Sequence, residues 1–191
     1  MSIYFFLLLV VAAIHNLYFD APLSELWLSD PYPPVHLQDQ QYLLEIDIAI
    51  GAFLGLLVVG ISRLLSRYTH WAKTLDQDFA LYFSHTSPML LTCLAVMSAF
   101  AEEVIFRGWL QDYLGVILTS LIFGALHIPP KKSHWPWTVS ATIMGFSFGY
   151  IYEWRGSVTA AFIAHFTINY FNLHSLSKIN HKQAIERTES T

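Results

Sequence analysis

Long apolar runs separated by short polar stretches set the pattern of this chain. A transmembrane α-helix needs about 20 predominantly apolar residues, within a range of about 17–25. Six runs approach or reach this length, and they occupy residues 3–19, 43–65, 88 onward, 114–127, 137–152 and 157–173. The pattern therefore predicts an all-α fold, a polytopic transmembrane bundle of about six spans with no soluble domain.

The polar stretches mark where the predicted helices end. Residues 20–41 contain four prolines and indicate an irregular loop outside the membrane, residues 69–87 indicate a mixed connection, and the adjacent prolines 129–130 indicate a helix stop. These boundaries predict a single transmembrane helical domain over residues 1–174. A polar cytoplasmic tail is predicted to follow over residues 175–191.

Composition places the predicted bundle in a membrane. Hydrophobic residues make up 54% of the chain and charged residues only 13%, whereas an average soluble domain has about 25% charged residues. The lipid bilayer is therefore the expected surrounding. The net charge of −4 gives no basic surface for nucleic acid, so nucleic acid is excluded as a partner.

Basic residues give the predicted orientation. They follow the second, fourth and sixth runs, at Arg63, Arg67, Lys73, Lys131, Lys132, Lys178, Lys182 and Arg187. The positive-inside rule puts these segments in the cytoplasm, so both termini are expected to be cytoplasmic, in agreement with an even number of spans. The first run has no preceding basic residue and no small-residue cleavage site, which predicts a retained helix and not a signal peptide.

Two adjacent carboxylates and an arginine follow directly on the apolar run 89–100. An ionised group inside a bilayer costs on the order of 2.5–3.5 kcal/mol by insertion scales, so such residues indicate a functional site. Glu103 and Arg107 are four residues apart with the acid first, which is the spacing of an ion pair on one helix face. Glu102 points about 100° away from Glu103 and has no partner in its own helix.

Three further polar residues fall inside the predicted helices. His127 ends the fourth run, while His165 and Asn169 lie one helical turn apart on one face of the sixth. Either histidine alone would be explained by a structural hydrogen bond between helices. Together with Glu102, however, they place a carboxylate, two imidazoles and an amide on three neighbouring helices. This set indicates one polar site within the bundle.

The order and spacing of these residues resemble a known family, the CPBP intramembrane endopeptidases. That family includes CAAX prenyl endopeptidases and bacterial bacteriocin-processing, self-immunity and abortive-infection-like membrane proteins. The resemblance covers the motif-bearing core, residues 88–173, and leaves out the first two spans. It is carried by three motifs in chain order: Glu102-Glu103-x-x-x-Arg107, Phe123-x-x-x-His127 and His165-x-x-x-Asn169.

The resemblance implies a role for each motif residue. Glu102 with His127 would activate the attacking water, and His165 with Asn169 would donate hydrogen bonds to the oxyanion, while the Glu103–Arg107 pair would be structural. This chemistry suits an amide bond, because a desolvated carboxylate is a good general base and the oxyanion needs preorganised donors. The implied function is a glutamic-type intramembrane endopeptidase acting on a membrane-associated, lipidated or C-terminally anchored protein or peptide. Its expected location is the bacterial inner membrane.

A zinc enzyme is the main alternative. Glu102, His127 and His165 could form a His₂Glu zinc site, the ligand set of several metalloproteases. The chain has no HExxH motif, however, and Asn169 is a poor zinc ligand but a good oxyanion donor. We therefore predict an enzyme without a metal or other cofactor.

Two other classes of protein would also use intramembrane polar residues. Paired histidines could ligate haem, but haem ligation leaves the Glu–Glu–Arg cluster unexplained. A proton-coupled carrier would use buried glutamate and histidine, and Glu45 and Asp47 in the first turns of the second run could extend such a relay. Their position near a helix end favours acids at the membrane interface.

The predicted orientation can be tested with fusion reporters. A reporter placed after Ser190 should be cytoplasmic, and one inserted near Ser29 should be external, because the basic residues cluster on one side of the predicted bundle. Measurement of a periplasm-active and a cytoplasm-active reporter at each position checks both. The opposite result at either position would mean that a span has been miscounted.

Overall fold

The computed structural model describes residues 13, 26–27, 40–129 and 131–179 of the 191-residue chain. This part of the chain contains helices and turns and no strand, as predicted. The helices, numbered here in chain order, are α1 Gln40–Tyr68, α2 His70–Phe83, α3 Pro88–Ile105, α4 Gln111–Leu126, α5 Trp135–Arg155 and α6 Thr159–Leu176. A π-helical turn, Phe106–Leu110, joins α3 to α4, and a short 3₁₀ turn, Lys132–His134, precedes α5.

Five of the six predicted spans coincide with α1, α3, α4, α5 and α6, so the all-α prediction is confirmed. The first predicted span, apart from residue 13, and the tail after residue 179 lie outside the described residues. The count of six spans is not confirmed. Within the described ranges, only two helical stretches combine the length and hydropathy of a membrane span, Leu44–Tyr68 and Pro88–Leu126.

The predicted mixed connection at residues 69–87 is wrong, because most of it forms the 14-residue helix α2. Its N-cap Thr69 makes no capping hydrogen bond through its side chain, and so short a helix is marginal without tertiary contacts. Two of those contacts come from its acids. Asp76 accepts a hydrogen bond from Ser66 of α1 at 2.6 Å, and Asp78 contacts the segment before α5.

Asp78 joins α2 to the segment between α4 and α5. Its carboxylate accepts hydrogen bonds from His134 Nε2 at 2.8 Å and from Lys131 Nζ at 3.2 Å. Partial burial raises the pKa of Asp78, but the two hydrogen bonds outweigh it and hold the pKa below its usual range. The carboxylate is therefore ionised at neutral pH. No sequence pattern indicated this link, because Lys131 and His134 each lie more than 50 residues after Asp78 in the chain.

α1 and α6 run parallel and touch through two glycines. A methyl group added at Gly51 would lie 2.5 Å from the carbonyl oxygen of Ala160, and one added at Gly55 would lie 2.6 Å from Thr167 Cβ. Small residues four apart let two helix backbones approach closely, a common device in membrane bundles. The parallel arrangement follows from the contacts, since the partners on α6 advance along the chain together with the residues on α1.

A buried ion pair fixes the start of α1 against the end of α5. Asp47 Oδ1 and Arg155 Nε are 2.5 Å apart, and both side chains are almost fully buried. Asp47 is therefore buried within the bundle and ion-paired, whereas Glu45 is exposed, and the location of both acids at the membrane interface stays a prediction. The sequence assigned Arg155 to a loop and gave no reason to join it to an acid 108 residues earlier. The pair holds the tight turn at Gly156, where a positive φ of 65° reverses the chain into α6.

The chain reverses direction within α4, so that the residues after Gly115 run back past the π-helical turn toward the end of α3. The reversal is centred on Gly115, whose φ of 70° and ψ of 169° break the helical path, and glycine is the residue that adopts such angles without a steric cost. Phe106 consequently packs edge-to-face on Phe123, with ring centroids 5.0 Å apart. Glu102 and His127, which lie at similar distances before and after Gly115 in the chain, therefore come to the same level of the bundle.

α5 packs against α4 through a second glycine pair. A methyl group at Gly145 would lie 3.1 Å from the carbonyl oxygen of Ser120, and one at Gly149 would lie 2.4 Å from Val116 Cγ2. The close approach brings the backbone of α5 within reach of side chains on the π-helical turn and α4. The glycines therefore help to position the polar site.

Residues 26–27, within the predicted loop 20–41, dock at the turn before α6. The Trp27 carbonyl accepts a hydrogen bond from the Val158 amide at 3.0 Å, and its indole donates to Thr159 at 2.9 Å. The neighbouring carbonyl of Leu26 lies so close to Gly108 that a Cβ there would be 1.7 Å away. This contact explains why glycine follows Arg107 in the sequence.

Glycine substitutions in α1 should have opposite effects on stability. Gly51→Ala should lower the free energy of unfolding, because the new methyl group would collide with the backbone of α6. Gly60→Ala is the matched control on the same helix, since nothing lies within 4 Å of its Cβ position. It should raise stability by about 0.5–1 kcal/mol through helix propensity alone. Thermal or chemical unfolding in detergent measures both, and equal effects would argue against close α1–α6 packing.

Candidate active site

The site is built around a buried ion pair on the last turn of α3 and the π-helical turn. Glu103 Oε2 and Arg107 Nε are 3.3 Å apart, and both side chains have an exposed fraction of 0%. They are four residues apart in the chain, as the helical spacing required. The attraction is that of opposite charges at short range, since neither atom makes an aligned hydrogen bond.

Aromatic rings and a carbonyl complete the surroundings of Arg107. Its guanidinium carbon lies 4.9 Å from the ring centre of Phe123 and 5.6 Å from that of Phe148, distances typical of cation–π contacts. Its Nη2 donates a hydrogen bond to the carbonyl oxygen of Gly145 at 3.2 Å. Arg107 thus has contacts with α4 and α5 and no access to solvent, which suits a structural role.

His165 on α6 is held by the same carboxylate that pairs with Arg107. Its Nδ1 lies 2.7 Å from Glu103 Oε1, and its ring stacks on Phe148 with an interplanar angle of 26°. The Glu103 carboxylate, paired with Arg107, acts as a hydrogen-bond acceptor, so Nδ1 of His165 carries a proton and donates to it. Its Nε2 faces the other glutamate.

His127 is fixed by the backbone of its own helix. It lies just after α4, and its Nδ1 is 2.7 Å from the carbonyl oxygen of Phe123, four residues earlier. A carbonyl oxygen only accepts, so Nδ1 donates here as well. The ring packs on Phe123 and Trp137, and Thr138 donates to the His127 carbonyl at 2.8 Å. The side chain is 20% exposed, the largest value among these ionisable groups.

Glu102 is the point on which both imidazoles converge. Its Oε2 lies 3.8 Å from His127 Nε2 and 3.9 Å from His165 Nε2. This oxygen is buried and has no hydrogen-bond partner. Because both Nδ1 atoms are protonated, a neutral imidazole presents only a lone pair at Nε2. Three hydrogen-bond acceptors therefore face one another, and they require a proton-bearing or cationic group between them.

Asn169 is held one helical turn from His165 along α6. Its Nδ2 donates to the Oγ of Ser98 at 3.1 Å, and Ser98 in turn lies one turn before Glu102 on α3. The structure therefore brings both His127 and His165 within 4 Å of Glu102, with Asn169 on the next turn of α6 after His165. The catalytic roles of these four residues remain predictions.

Sequence reasoning missed several residues that surround the site. Ser98 lies four residues before Glu102, a spacing that could have placed it on the same face of α3. Phe148 and Trp137 sit in an apolar helix and had no distinguishing signal. Their contacts with His165 and His127 arise only when α5 packs beside α4 and α6.

A zinc ion would need its ligand atoms somewhat closer together. Zinc bound tetrahedrally at about 2.0–2.1 Å sets nitrogen and oxygen ligands roughly 3.4 Å apart, compared with 3.8 and 3.9 Å here. In the ranges that the structure describes, no three His, Cys, Asp or Glu side chains are grouped closely enough to hold a metal. The donor atoms themselves, two imidazole nitrogens and a carboxylate, are suitable for zinc.

Comparison with known proteins supports the resemblance seen in the motifs. Residues 84–171 match the family described as type II CAAX prenyl endopeptidase, Rce1-like, which confirms the predicted resemblance. The chain is also 40% identical over 87 residues to the uncharacterized protein YpbD of Bacillus subtilis (strain 168). That alignment covers 46% of each protein, so the chain spans slightly less than half the length of this relative. No solved structure matches the chain.

The Glu103–Arg107 pair should show strong energetic coupling. Glu103→Gln or Arg107→Met alone would strand a buried charge and should lower the free energy of unfolding by roughly 3–5 kcal/mol. The double variant should lose less than the sum of the two single variants. Unfolding in detergent measures the cycle, with Glu153→Gln on exposed surface of α5 as a control. Strict additivity would contradict the pairing.

Proposed function

We propose, from the premise that residues 84–171 belong to the Rce1-like family of type II CAAX prenyl endopeptidases, that this chain is an intramembrane endopeptidase. It hydrolyses a peptide bond of a membrane-associated protein with a lipidated or otherwise anchored C-terminus. Glu102 acts as the general base on the attacking water. The observation that carries this proposal is the unpartnered Glu102 Oε2 beside two imidazole Nε2 atoms.

A water molecule satisfies this arrangement. Two of the facing acceptors, Glu102 Oε2 and His127 Nε2, need a donor, and water supplies one O–H group to each. Donation to Glu102 Oε2 and to His127 Nε2 would leave a lone pair of the water oxygen for a substrate carbonyl carbon. The separation of 3.8 Å between these two acceptors lets one water lie within hydrogen-bond distance of both.

The proposed reaction moves one proton twice. As the water oxygen bonds to the carbonyl carbon, an O–H bond breaks and its proton passes to Glu102. The tetrahedral intermediate then collapses with cleavage of the C–N bond, and the leaving nitrogen takes the proton from Glu102. The carboxylate is regenerated, so no external acid or oxidant is consumed.

Hydrogen-bond donors on α6 would stabilise the oxyanion. The Asn169 amide has a second N–H beyond the one donated to Ser98. His165 can donate through Nε2 only when its imidazole is doubly protonated, because Nδ1 is already bonded to Glu103. The Glu103 carboxylate at 2.7 Å would stabilise that imidazolium. Glu103 thus has a structural role as the partner of Arg107 and would also stabilise the charged form of His165.

The burial of the site indicates how a substrate enters. Glu102 and His165 have exposed side-chain fractions of 7% and 9%, while that of His127 is 20%. The scissile bond would therefore approach from the side of His127 and Trp137. Apolar residues exposed on α1 and α4 suit contact with lipid. A multi-pass location in the bacterial inner membrane, with both termini cytoplasmic, is part of this proposal.

The metal-free mechanism is favoured over a zinc mechanism by the separations of the donor atoms. If zinc were bound, Glu102, His127 and His165 would hold it and it would polarise the carbonyl or the water. Asn169 would then contribute little. Replacement of Asn169, which is not one of the possible metal ligands, should therefore slow a metal-free enzyme far more than a zinc enzyme.

A turnover assay with purified protein in proteoliposomes tests the proposal. The probe is an internally quenched, farnesylated peptide with a C-terminal CAAX sequence, the substrate type that the family's description indicates. Glu102→Gln should abolish cleavage while the protein remains folded, because the amide cannot accept the proton from water. Glu153→Gln, an exposed acid on α5, should cleave like the wild type. Wild-type turnover by Glu102→Gln would refute the assignment.

The same assay distinguishes metal-free from zinc catalysis. Exhaustive chelation should leave the rate unchanged, and elemental analysis should find no stoichiometric metal. Loss of activity on chelation, recovery with Zn²⁺ and about one zinc per chain would overturn the metal-free mechanism.

A further inference from the structure

We propose that Ser98 is a positioning residue for the reaction, which holds the Asn169 amide in the orientation that an oxyanion donor needs. This inference rests on the proposed function. It concerns a residue outside the three motifs, on the α3 face that carries Glu102. The contact with Asn169 joins α3 to α6 at a second point, separate from the Glu103–His165 hydrogen bond.

The hydrogen bonds around Ser98 determine which way the amide of Asn169 points. The Ser98 hydroxyl has one proton, and it donates that proton to the carbonyl oxygen of Leu94 at 2.7 Å. Toward Asn169, at 3.1 Å, the Ser98 oxygen can therefore only accept. The –NH₂ group of Asn169 must face Ser98, and its carbonyl oxygen must point away.

This orientation leaves one N–H of Asn169 available. The amide nitrogen carries two protons, and Ser98 accepts one of them. The other N–H points in a direction that the planar amide fixes. Without Ser98, the amide could turn by 180° about its terminal bond and present its carbonyl oxygen, which would repel an oxyanion. Preorganised donors lower the barrier because they need no reorientation during the reaction.

Both proposed oxyanion donors on α6 are thus tied to α3. Asn169 is bonded to Ser98, and His165 is bonded to Glu103 at 2.7 Å. Glu102 lies between these two α3 residues in the chain. The two hydrogen bonds therefore fix the donors relative to the general base, even though base and donors belong to different helices.

Ser147 provides a matched control. On α5, its hydroxyl makes the same kind of bond to the carbonyl four residues earlier, Ser147 Oγ to Ile143 O at 2.9 Å. Ser147→Ala removes this local bond without touching Asn169. A merely helical role for Ser98 would give Ser98→Ala and Ser147→Ala the same result.

The test compares steady-state cleavage of the farnesylated peptide by full-length variants in proteoliposomes. Ser98→Ala should lower kcat by about tenfold with KM changed less than about twofold, since one orienting hydrogen bond is lost. Ser98→Thr keeps a hydroxyl and should restore most of the rate. In an Asn169→Ala background, which itself should lose about 10²–10³ in kcat, Ser98→Ala should have almost no further effect. A full additional tenfold loss there, or an unchanged kcat in Ser98→Ala alone, would overturn the proposal.

A second measurement does not depend on turnover. In protein labelled with ¹⁵N on asparagine, the Asn169 side-chain amide signal is assigned by its loss in Asn169→Ala. Its Ser98-bonded proton should exchange slowly with solvent in the wild type and in Ser98→Thr, and about tenfold faster in Ser98→Ala. Exchange that is insensitive to Ser98→Ala would refute the anchoring. If the wild type cleaves no peptide yet shows this pattern, the proposed function fails while the anchoring stands.

Discussion

The arrangement of the site depends on one carboxylate, Glu103, which is fully buried and contacts both Arg107 and His165. An ionised group in so dry an environment is tolerated only when its charge is balanced and its oxygens are bonded. Arg107 supplies the balancing charge from the π-helical turn, and His165 supplies a hydrogen bond from α6. Phe123 of α4 and Phe148 of α5 close around the guanidinium. Four helices are thus fixed relative to one another by the requirements of one charge.

The adjacent Glu102 differs from Glu103 in its partners, although the two residues are neighbours in the chain. A rotation of about 100° along the helix turns Glu102 away from Arg107, toward two imidazoles whose protons are bonded elsewhere. The hydrogen bonds His127–Phe123 and His165–Glu103 fix the tautomers of both rings. While both rings are neutral, the resulting set of facing acceptors contains no donor of its own. A structural polar cluster would be expected to satisfy itself, so this deficit favours a site that binds water or another reactant.

The sequence predicted the apolar helices, and it predicted a contact within a helix where two opposite charges are four residues apart. Helical periodicity and hydropathy located α1, α3, α4, α5 and α6, and the i to i+4 spacing placed Glu103 beside Arg107. What could not be predicted depends on contacts between distant segments. The Asp47–Arg155 pair, the helix α2 and the Ser98–Asn169 bond each need the packed bundle before their partners meet. A π-helical turn at Phe106–Leu110 is likewise a response to packing, because its residues have no pattern that excludes an ordinary α-helix.

The segments that precede the family match still shape the site. The match begins at residue 84, whereas Phe79 of α2 packs edge-to-face on Trp137, with ring centroids 5.2 Å apart, and Trp137 packs on His127. α1 likewise sets the position of α6, and so of His165, through its glycines, and it holds the end of α5 through Asp47. The matched segment therefore holds the polar residues of the candidate site, while α1 and α2 build part of their surroundings. The exposed side of His127 is bordered by Trp137, which α2 supports. α2 therefore borders the exposed side of His127 through Trp137, and its hydrogen bond from Asp78 to His134 holds it against the start of α5.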